Sequence, residues 1–157
     1  MSTDVNQAIA SDAPAVAEMV GELLHEIMAA TGTKSFQFSQ SDSEARLRSW
    51  LGDGTYTVLL ARQGAAVVGF VALTENRALY AEGAFGSIPE LYVKPAFRSH
   101  GVGAALLAHA RQIASSRGWR RLEVTTPSLP QFDRTLCFYQ RQGFSISGGR
   151  KMKLEVP

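Results

Sequence analysis

The sequence predicts a single α/β domain of the α+β type over residues 1–157, with a mixed sheet of six to seven strands flanked by about four helices. Three observations carry that expectation. The chain has 157 residues, about one average domain. Hydrophobic residues make up 45% and charged residues 19%, which excludes disorder and leaves enough apolar surface for one core. Helical and strand periodicities alternate in the order β-α-α-β-β-β-α-β-α-β-β, an order that covers a mixed sheet with helices.

Each element has a local reason. Residues 4–10 read as a short strand. Ser11 or Asp12 caps a helix with Pro14 in its first turn, where a missing N–H costs little. Val16, Val20, Leu23 and Ile27 recur at helical spacing until Gly32. Residues 31–41 have no period and read as a loop; residues 42–51 form a second short helix closed by Gly52 and Gly54. Residues 56–62 and 66–74, apolar and rich in β-branched side chains, flank Gln63-Gly64 as a hairpin. A polar turn over 76–84 leads into a strand over 85–93, which Lys94-Pro95 stops because proline cannot donate to a ladder. Val102, Leu106, Ala110 and Ile113 mark the buried stripe of a helix ending at Gly118. A strand follows over 120–126. Ser128 to Gln131 resembles a capping box that opens a helix to Gln142, with Gly143 just past its end. Residues 144–156 read as two short strands turning at Gly148-Gly149.

Composition excludes several function classes. Cys137 is the only cysteine, so internal disulfides and thiolate metal clusters are ruled out. His25, His100 and His109 make no ligand spacing, and no metal site is expected. No apolar run reaches the ~18–20 residues of a membrane span. The start, MSTDVNQAIASD, lacks the basic and apolar stretches of a signal peptide. The expectation is a cytoplasmic, metal-free protein with no membrane partner.

The net charge of +2 is unevenly spread. Residues 1–93 carry five Lys/Arg against eleven Asp/Glu; residues 94–157 carry eleven against three. A basic half suits a polyanionic partner. Its cations are scattered over several elements without interleaved aromatics, which favours a phosphorylated small molecule over nucleic acid.

The informative stretch runs from residue 85 to 117. A glycine-containing turn at a helix start leaves backbone N–H groups without helical partners, at the positive end of the helix dipole. That is an anion site suited to a pyrophosphate. Gly101 and Gly103 admit close backbone approach, and Arg98 adds a charge-assisted donor. The stretch lacks the Lys and Ser/Thr of a Walker loop. Leu106 stands where G-x-G-x-x-G needs its third glycine, which disfavours a dinucleotide fold.

Glu90-Leu91-Tyr92-Val93-Lys94-Pro95, followed by Arg98-Ser99-His100-Gly101-Val102-Gly103-Ala104, resembles the acetyl-CoA motif of the GNAT N-acetyltransferase superfamily, [RQ]-x-x-G-x-[GA] after a strand ending in proline. Phe138-Tyr139-Gln140-Arg141-Gln142-Gly143-Phe144 looks like that family's F/L-Y-x-x-x-G-F ending, and the hairpin Val67–Leu73 and the element order also fit. The resemblance covers nearly the whole chain, with the first ~50 residues matching only in topology.

The resemblance implies a GNAT-like fold with a mostly antiparallel sheet, and transfer of an acetyl group from acetyl-CoA, as cosubstrate, to a primary amine by direct attack in a ternary complex. It implies that the strand splays from its neighbour, so that backbone groups of Leu91, Tyr92 and Val93 meet the pantetheine arm. Arg98, Ser99, His100, Gly101, Val102, Gly103 and Ala104 would bind the pyrophosphate. Tyr139 matches the general acid for the departing thiolate; its ordinary pKa of ~10 suits a donor protonated at neutral pH. Packing with Phe132 and Leu136 is its competing role. Family members often carry Asn seven residues before this tyrosine, where this chain has Phe132. Glu90 is the candidate base, by strand alternation on the face opposite Leu91 and Val93, or else a group that only orients the amine. No protein nucleophile is required.

For the acceptor, Phe36, Phe38 and Phe85 are candidate lining residues and Tyr80 with Glu82 the preferred binding pair. Glu18, Glu22 and Glu26 make an acidic line, either a solvated face or a cleft wall. Cys137 reads as a small buried packing residue and His109 as structural; His100 either touches a phosphate or stands in solvent. Alternatives on the same fold are a non-catalytic acyl-CoA-binding sensor, transfer of a different acyl group, and transfer to an alcohol. The acceptor, small molecule or peptide, is not readable from the sequence, and a homodimer stays open.

Overall fold

Two strands at the centre, β2 (Thr57–Gln63) and β3 (Ala66–Ala78), carry the apolar alternation that organises a computed structural model describing residues 2–157. Leu59, Ala61, Val68, Val71 and Leu73 point to one face; Val58, Leu60, Phe70 and Ala72 point to the other. Each set nucleates its own buried cluster, so the sheet is covered on both sides. Helix α1 (Ala13–Thr31) and α2 (Gln40–Asp53) pack on the Phe70 face; α3 (Val102–Ser116) and α4 (Asp133–Arg141) pack on the Val71 face.

Among the described residues the sheet has six strands. β1 (Asp4–Gln7) pairs antiparallel with β2, β2 with β3, and β3 with both β4 (Gly83–Ile88) and β5 (Leu91–Val93); β6 (Leu122–Val124) pairs parallel with β4. The expected mixed, mostly antiparallel sheet and four helices are present.

β1 stops at Gln7 and β6 spans only Leu122–Val124, each shorter than read from the sequence, and four larger differences follow. The strand over 85–93 is two segments. Thr74 faces Ser87 while Val71 faces Leu91, so residues 88–90 stand opposite only two residues of β3. This bulge falls at Pro89, which has no N–H to give the ladder, and it bends the strand at the site. β3 continues to Ala78, through residues read as a polar turn: Glu75, Asn76 and Arg77 pair with Gly86, Phe85 and Ala84. A solvated hairpin tolerates polar residues, so composition alone mimicked a loop. α4 begins at Asp133 rather than Ser128, because proline at 130 disfavours helix at Leu129 and lacks the N–H of its turn. Finally, residues 144–156 hold no strand. Ile146, Met152, Leu154 and Val156 are 75–89% exposed. Alternation without a partner strand does not make a ladder.

Candidate active site

The site grows from the place where the sheet opens. Ala72 N–H donates to the Glu90 carbonyl and Lys94 N–H to the Val68 carbonyl, both at 2.9 Å. Antiparallel pairing alternates, so Tyr92 exchanges bonds with Phe70 while Leu91 and Val93 turn their N–H and C=O groups away from β3. β6 pairs only with residues 86–88 of β4, so the strands splay beside β5. Into that splay opens a cleft of about 1670 Å³, lined from β5, α1, the start of α3 and α4. Ordinary small-molecule pockets hold ~300–1,000 Å³, so there is room for a long substrate and a second one.

Lys94-Pro95 leads from β5 into the turn that starts α3. Gly101 caps the helix at φ +82° and Ser99 takes φ +63°, a left-handed conformation uncommon for a residue with a side chain. The first helical bond runs from Ala105 N–H to the Gly101 carbonyl at 3.0 Å, which leaves the N–H groups of Val102, Gly103 and Ala104 without helical partners. No acidic side chain occupies that first turn. Ser99, Gly101, Val102, Gly103 and Ala104 all line the cleft, with the Val102 side chain itself in the core. A Cβ on Gly103 would stand 2.8 Å from Phe138 Cζ, so glycine here also lets α4 close on α3. His100 is exposed and does not line the cleft.

Arg98 differs from expectation. Its Nε donates to the Val93 carbonyl at 2.8 Å, its terminal nitrogen bridges Glu26 of α1 at 2.8 Å, and its guanidinium lies 5.4 Å over the Tyr92 ring. It ties the loop to α1 and occupies one of the backbone acceptors of β5. Tyr92 in turn donates to Glu22 at 3.3 Å, so two members of the acidic line face this edge while Glu18 stays in solvent.

Glu90 and Tyr139 both line the cleft, and they belong to opposite faces of the sheet. Glu90 shares the face of Tyr92, toward α1 and α2, where Tyr56 donates from its hydroxyl to both carboxylate oxygens at 3.1 and 3.3 Å. Trp50 packs on Tyr56 with ring centroids 4.9 Å apart. Burial pushes the Glu90 carboxyl above its ordinary value, and the Tyr56 hydrogen bond opposes part of that rise. Burial, then the charge of Glu90, raises the Tyr56 phenol. Tyr139 is 5% exposed, held edge-on between Phe138 and Phe144. Among the described residues no fully buried side-chain oxygen or nitrogen lacks a partner, so the Tyr139 hydroxyl, which bonds to no protein group, opens on the cleft. Burial pushes its pKa up to about 12.

Tyr80 and Glu82 are not brought to the cleft. They sit in the turn between β3 and β4, where Tyr80 is 75% exposed beneath Arg121 and Glu82 pairs with Arg120 at 3.0 Å. The extension of β3 to Ala78 carries them to that tip. Phe85 is buried beside Tyr80, and Phe38 packs on Gly21; only Phe36 of the three candidate phenylalanines lines the cleft. Cys137 is exposed along the cleft instead of buried. His109 is half-buried against the Ala105 carbonyl, as a structural residue would be. Tyr56 was missed because it lies 34 residues from its partner, with no spacing to signal it. Among the described residues no cluster of ligand side chains could hold a metal ion, and no helix is long and apolar enough to cross a membrane.

Comparison with known proteins agrees with this geometry. Residues 22–144 match the acetyltransferase (GNAT) family. An uncharacterized N-acetyltransferase of Mycobacterium tuberculosis is 30% identical over 112 residues, covering 71% of this chain and 67% of the relative. An integron cassette protein from the mobile metagenome of Cole Harbour Salt Marsh superposes with a TM-score of 0.80 at 25% identity, covering 98% of this chain and 90% of that one. A predicted acetyltransferase of Clostridium acetobutylicum with acetyl-CoA superposes with a TM-score of 0.75 at 14% identity, covering 98% and 96%, a likeness of fold alone. With its family matched over most of its length, the chain belongs to the GNAT acetyltransferases.

Proposed function

We propose that this protein is an N-acetyltransferase that moves an acetyl group from acetyl-CoA to a primary amine, by direct attack while both substrates are bound. The observation that carries the reading is the placement of Glu90 and Tyr139 on opposite sides of one unpaired strand edge, beside a helix start with three free N–H groups. The N–H groups of Val102, Gly103 and Ala104, with Ser99 and Gly101 shaping the turn, receive the pyrophosphate. The outward N–H groups of Leu91 and Val93 hold the pantetheine arm and polarise the thioester carbonyl.

Glu90 takes a proton from the ammonium; its raised pKa brings it closer to that task than an ordinary carboxylate. The freed lone pair forms the N–C bond at the carbonyl carbon, the nitrogen gives its second proton to solvent at the cleft, and collapse of the tetrahedral intermediate breaks the C–S bond. Tyr139 gives its phenolic proton to the departing thiolate and is refilled from solvent at the cleft. The exposed basic residues of α4, Arg134 and Arg141, suit the phosphates of the cosubstrate. These assignments fit a cytoplasmic enzyme acting on small molecules or peptide amines. The test combines acetyl-CoA thermal shift with thiol release across a panel of amines. A rise in melting temperature and amine-dependent release are expected. Stabilisation without release from any amine would make the protein an acyl-CoA sensor instead.

A further inference from the structure

The Tyr56 hydroxyl meets Glu90 at both carboxylate oxygens, and the phenol that carries it is itself fixed. Gly54, at φ +80°, turns the chain out of α2. The Tyr56 N–H then returns a bond to the Trp50 carbonyl at 3.3 Å, and the Trp50 ring packs on the phenol. The next residue, Thr57, is buried and opens β2 opposite Leu73. Tyr56 therefore reaches Glu90 from the junction of a helix and a central strand, where its direction is set by the fold.

The donor is neutral, and that decides what it can do. A lysine or arginine in its place would hold the carboxylate in an ion pair and make it a weaker base. A hydroxyl orients the carboxylate and leaves lone pairs on both oxygens for the cleft. Among the described residues no cation pairs with Glu90. Arg46 of α2 is exposed at the recess that it shares with Tyr56 and Glu90, and Glu44 of α2 takes the Gln40 amide. On α1, Glu22 takes the Tyr92 hydroxyl and Glu26 pairs with Arg98. The central strands bring only Val58, Phe70 and Ala72 to this recess. Two opposed effects are left on the Glu90 carboxyl: burial raises it, and the Tyr56 bond lowers it.

We propose that Tyr56 is a positioning residue for the base, whose hydroxyl holds Glu90 by both oxygens, ionised and turned to the cleft, until the amine arrives. The proposal deepens the acetyl-transfer reading and rests on it. A hydrogen bond to the charged form favours that form, so Tyr56 keeps the half-buried carboxylate able to accept a proton at neutral pH. Because the donor brings no charge, the incoming ammonium is the first cation that the carboxylate meets.

The test follows the Glu90 side-chain carboxyl carbon by NMR against pH in the full chain, its signal assigned with Glu90→Gln. In Tyr56→Phe, which keeps the ring on Trp50, the titration midpoint should rise by about one pH unit above the parent. Fluorotyrosine in place of Tyr56 is a stronger donor of nearly the same shape; it should lower the midpoint, and it serves if Tyr56→Phe does not fold. The acid limb of kcat for thiol release should move with the midpoint in each variant, with KM for acetyl-CoA unchanged. On a Glu90→Gln background, Tyr56→Phe should change kcat less than about threefold, because the group it positions is gone. An unmoved midpoint in a folded variant, or a full further loss of kcat on that background, overturns the proposal and leaves Tyr56 as packing. The midpoint is read without turnover, so the two readings fail separately. A midpoint that moves as expected, with no thiol release from any amine, confirms the hold on Glu90 and contradicts acetyl transfer alone. Thiol release with an unmoved midpoint contradicts the role of Tyr56 alone.

Discussion

The two sides of β5 build their halves of the site from different materials. Toward α3 the chemistry is backbone: outward groups of Leu91 and Val93 and the free N–H groups of Val102, Gly103 and Ala104. Toward α1 and α2 it is side chains, Glu90 held by Tyr56 within an apolar wall drawn from α1, α2, β2 and β3. Backbone recognition depends on where glycine and proline let the chain turn, so it tolerates sequence change around those points. Side-chain recognition depends on which residues meet across the fold. The difference teaches that the backbone half, which we propose for the cosubstrate, is set by topology, and the side-chain half, proposed for the acceptor, by this chain's own residues.

The sharpest way to break the backbone half is to place a charge in it. Ser99→Asp should be sterically tolerated, since aspartate adopts the left-handed conformation of Ser99 readily. The new carboxylate meets the pyrophosphate, and like charge in such a site costs several kcal/mol. Acetyl-CoA affinity is expected to fall ~10²–10³-fold in calorimetry, with most of the thermal shift lost. Next in size is Tyr139→Phe, which keeps the ring between Phe138 and Phe144 and removes the proton. It should lower kcat by ~10²-fold with acetyl-CoA affinity intact. Because burial holds that phenol near 12, parent activity should show no basic limb from Tyr139 between pH 6 and 9.5.

A smaller effect reads the acceptor half through stability. The Glu90 carboxyl is raised in the folded protein, so the native state retains its proton at pH values where the unfolded chain has lost it. Stability is then full below the unfolded value and falls as pH rises toward the folded one. Glu90→Gln, which carries no such charge, should melt above the parent at pH 8 and level with it at pH 4. The least effect belongs to the β3–β4 tip. Tyr80→Ala and Glu82→Ala, at exposed positions away from the cleft, should each change kcat/KM less than twofold.

What was legible in the sequence follows the same division. Pro95, Gly101 and Gly103 announce a strand end and a helix start locally, so the turn that opens α3 is legible in the sequence, whereas the splay of the strand follows only from the resemblance. Alternation along 90–93 put Glu90 on the face of Tyr92, as in the structure, while the Pro89 bulge just before it needs the partner register to be seen. Tyr80 and Glu82 were favoured for their chemistry, but polar residues paired on β3 carried them out to a solvated tip. Tyr56, Trp50 and Leu47 gave no signal, because nothing in their spacing ties them to Glu90. The guanidinium of Arg98 looked free in sequence; Glu26, 72 residues earlier, claims it in three dimensions.

The central claim is that Glu90 accepts the amine's proton. Steady-state kinetics of Glu90→Gln against the parent, from pH 4 to 9.5 with a responsive amine, tests it most directly. The account predicts a parent kcat that falls on the acid side as Glu90 becomes protonated. It predicts a variant without that limb, ~10²–10⁴-fold slower. A variant that keeps the parent kcat and shows only a higher KM would contradict the claim, leaving Glu90 as an anchor for the ammonium and the reaction without a base from this residue.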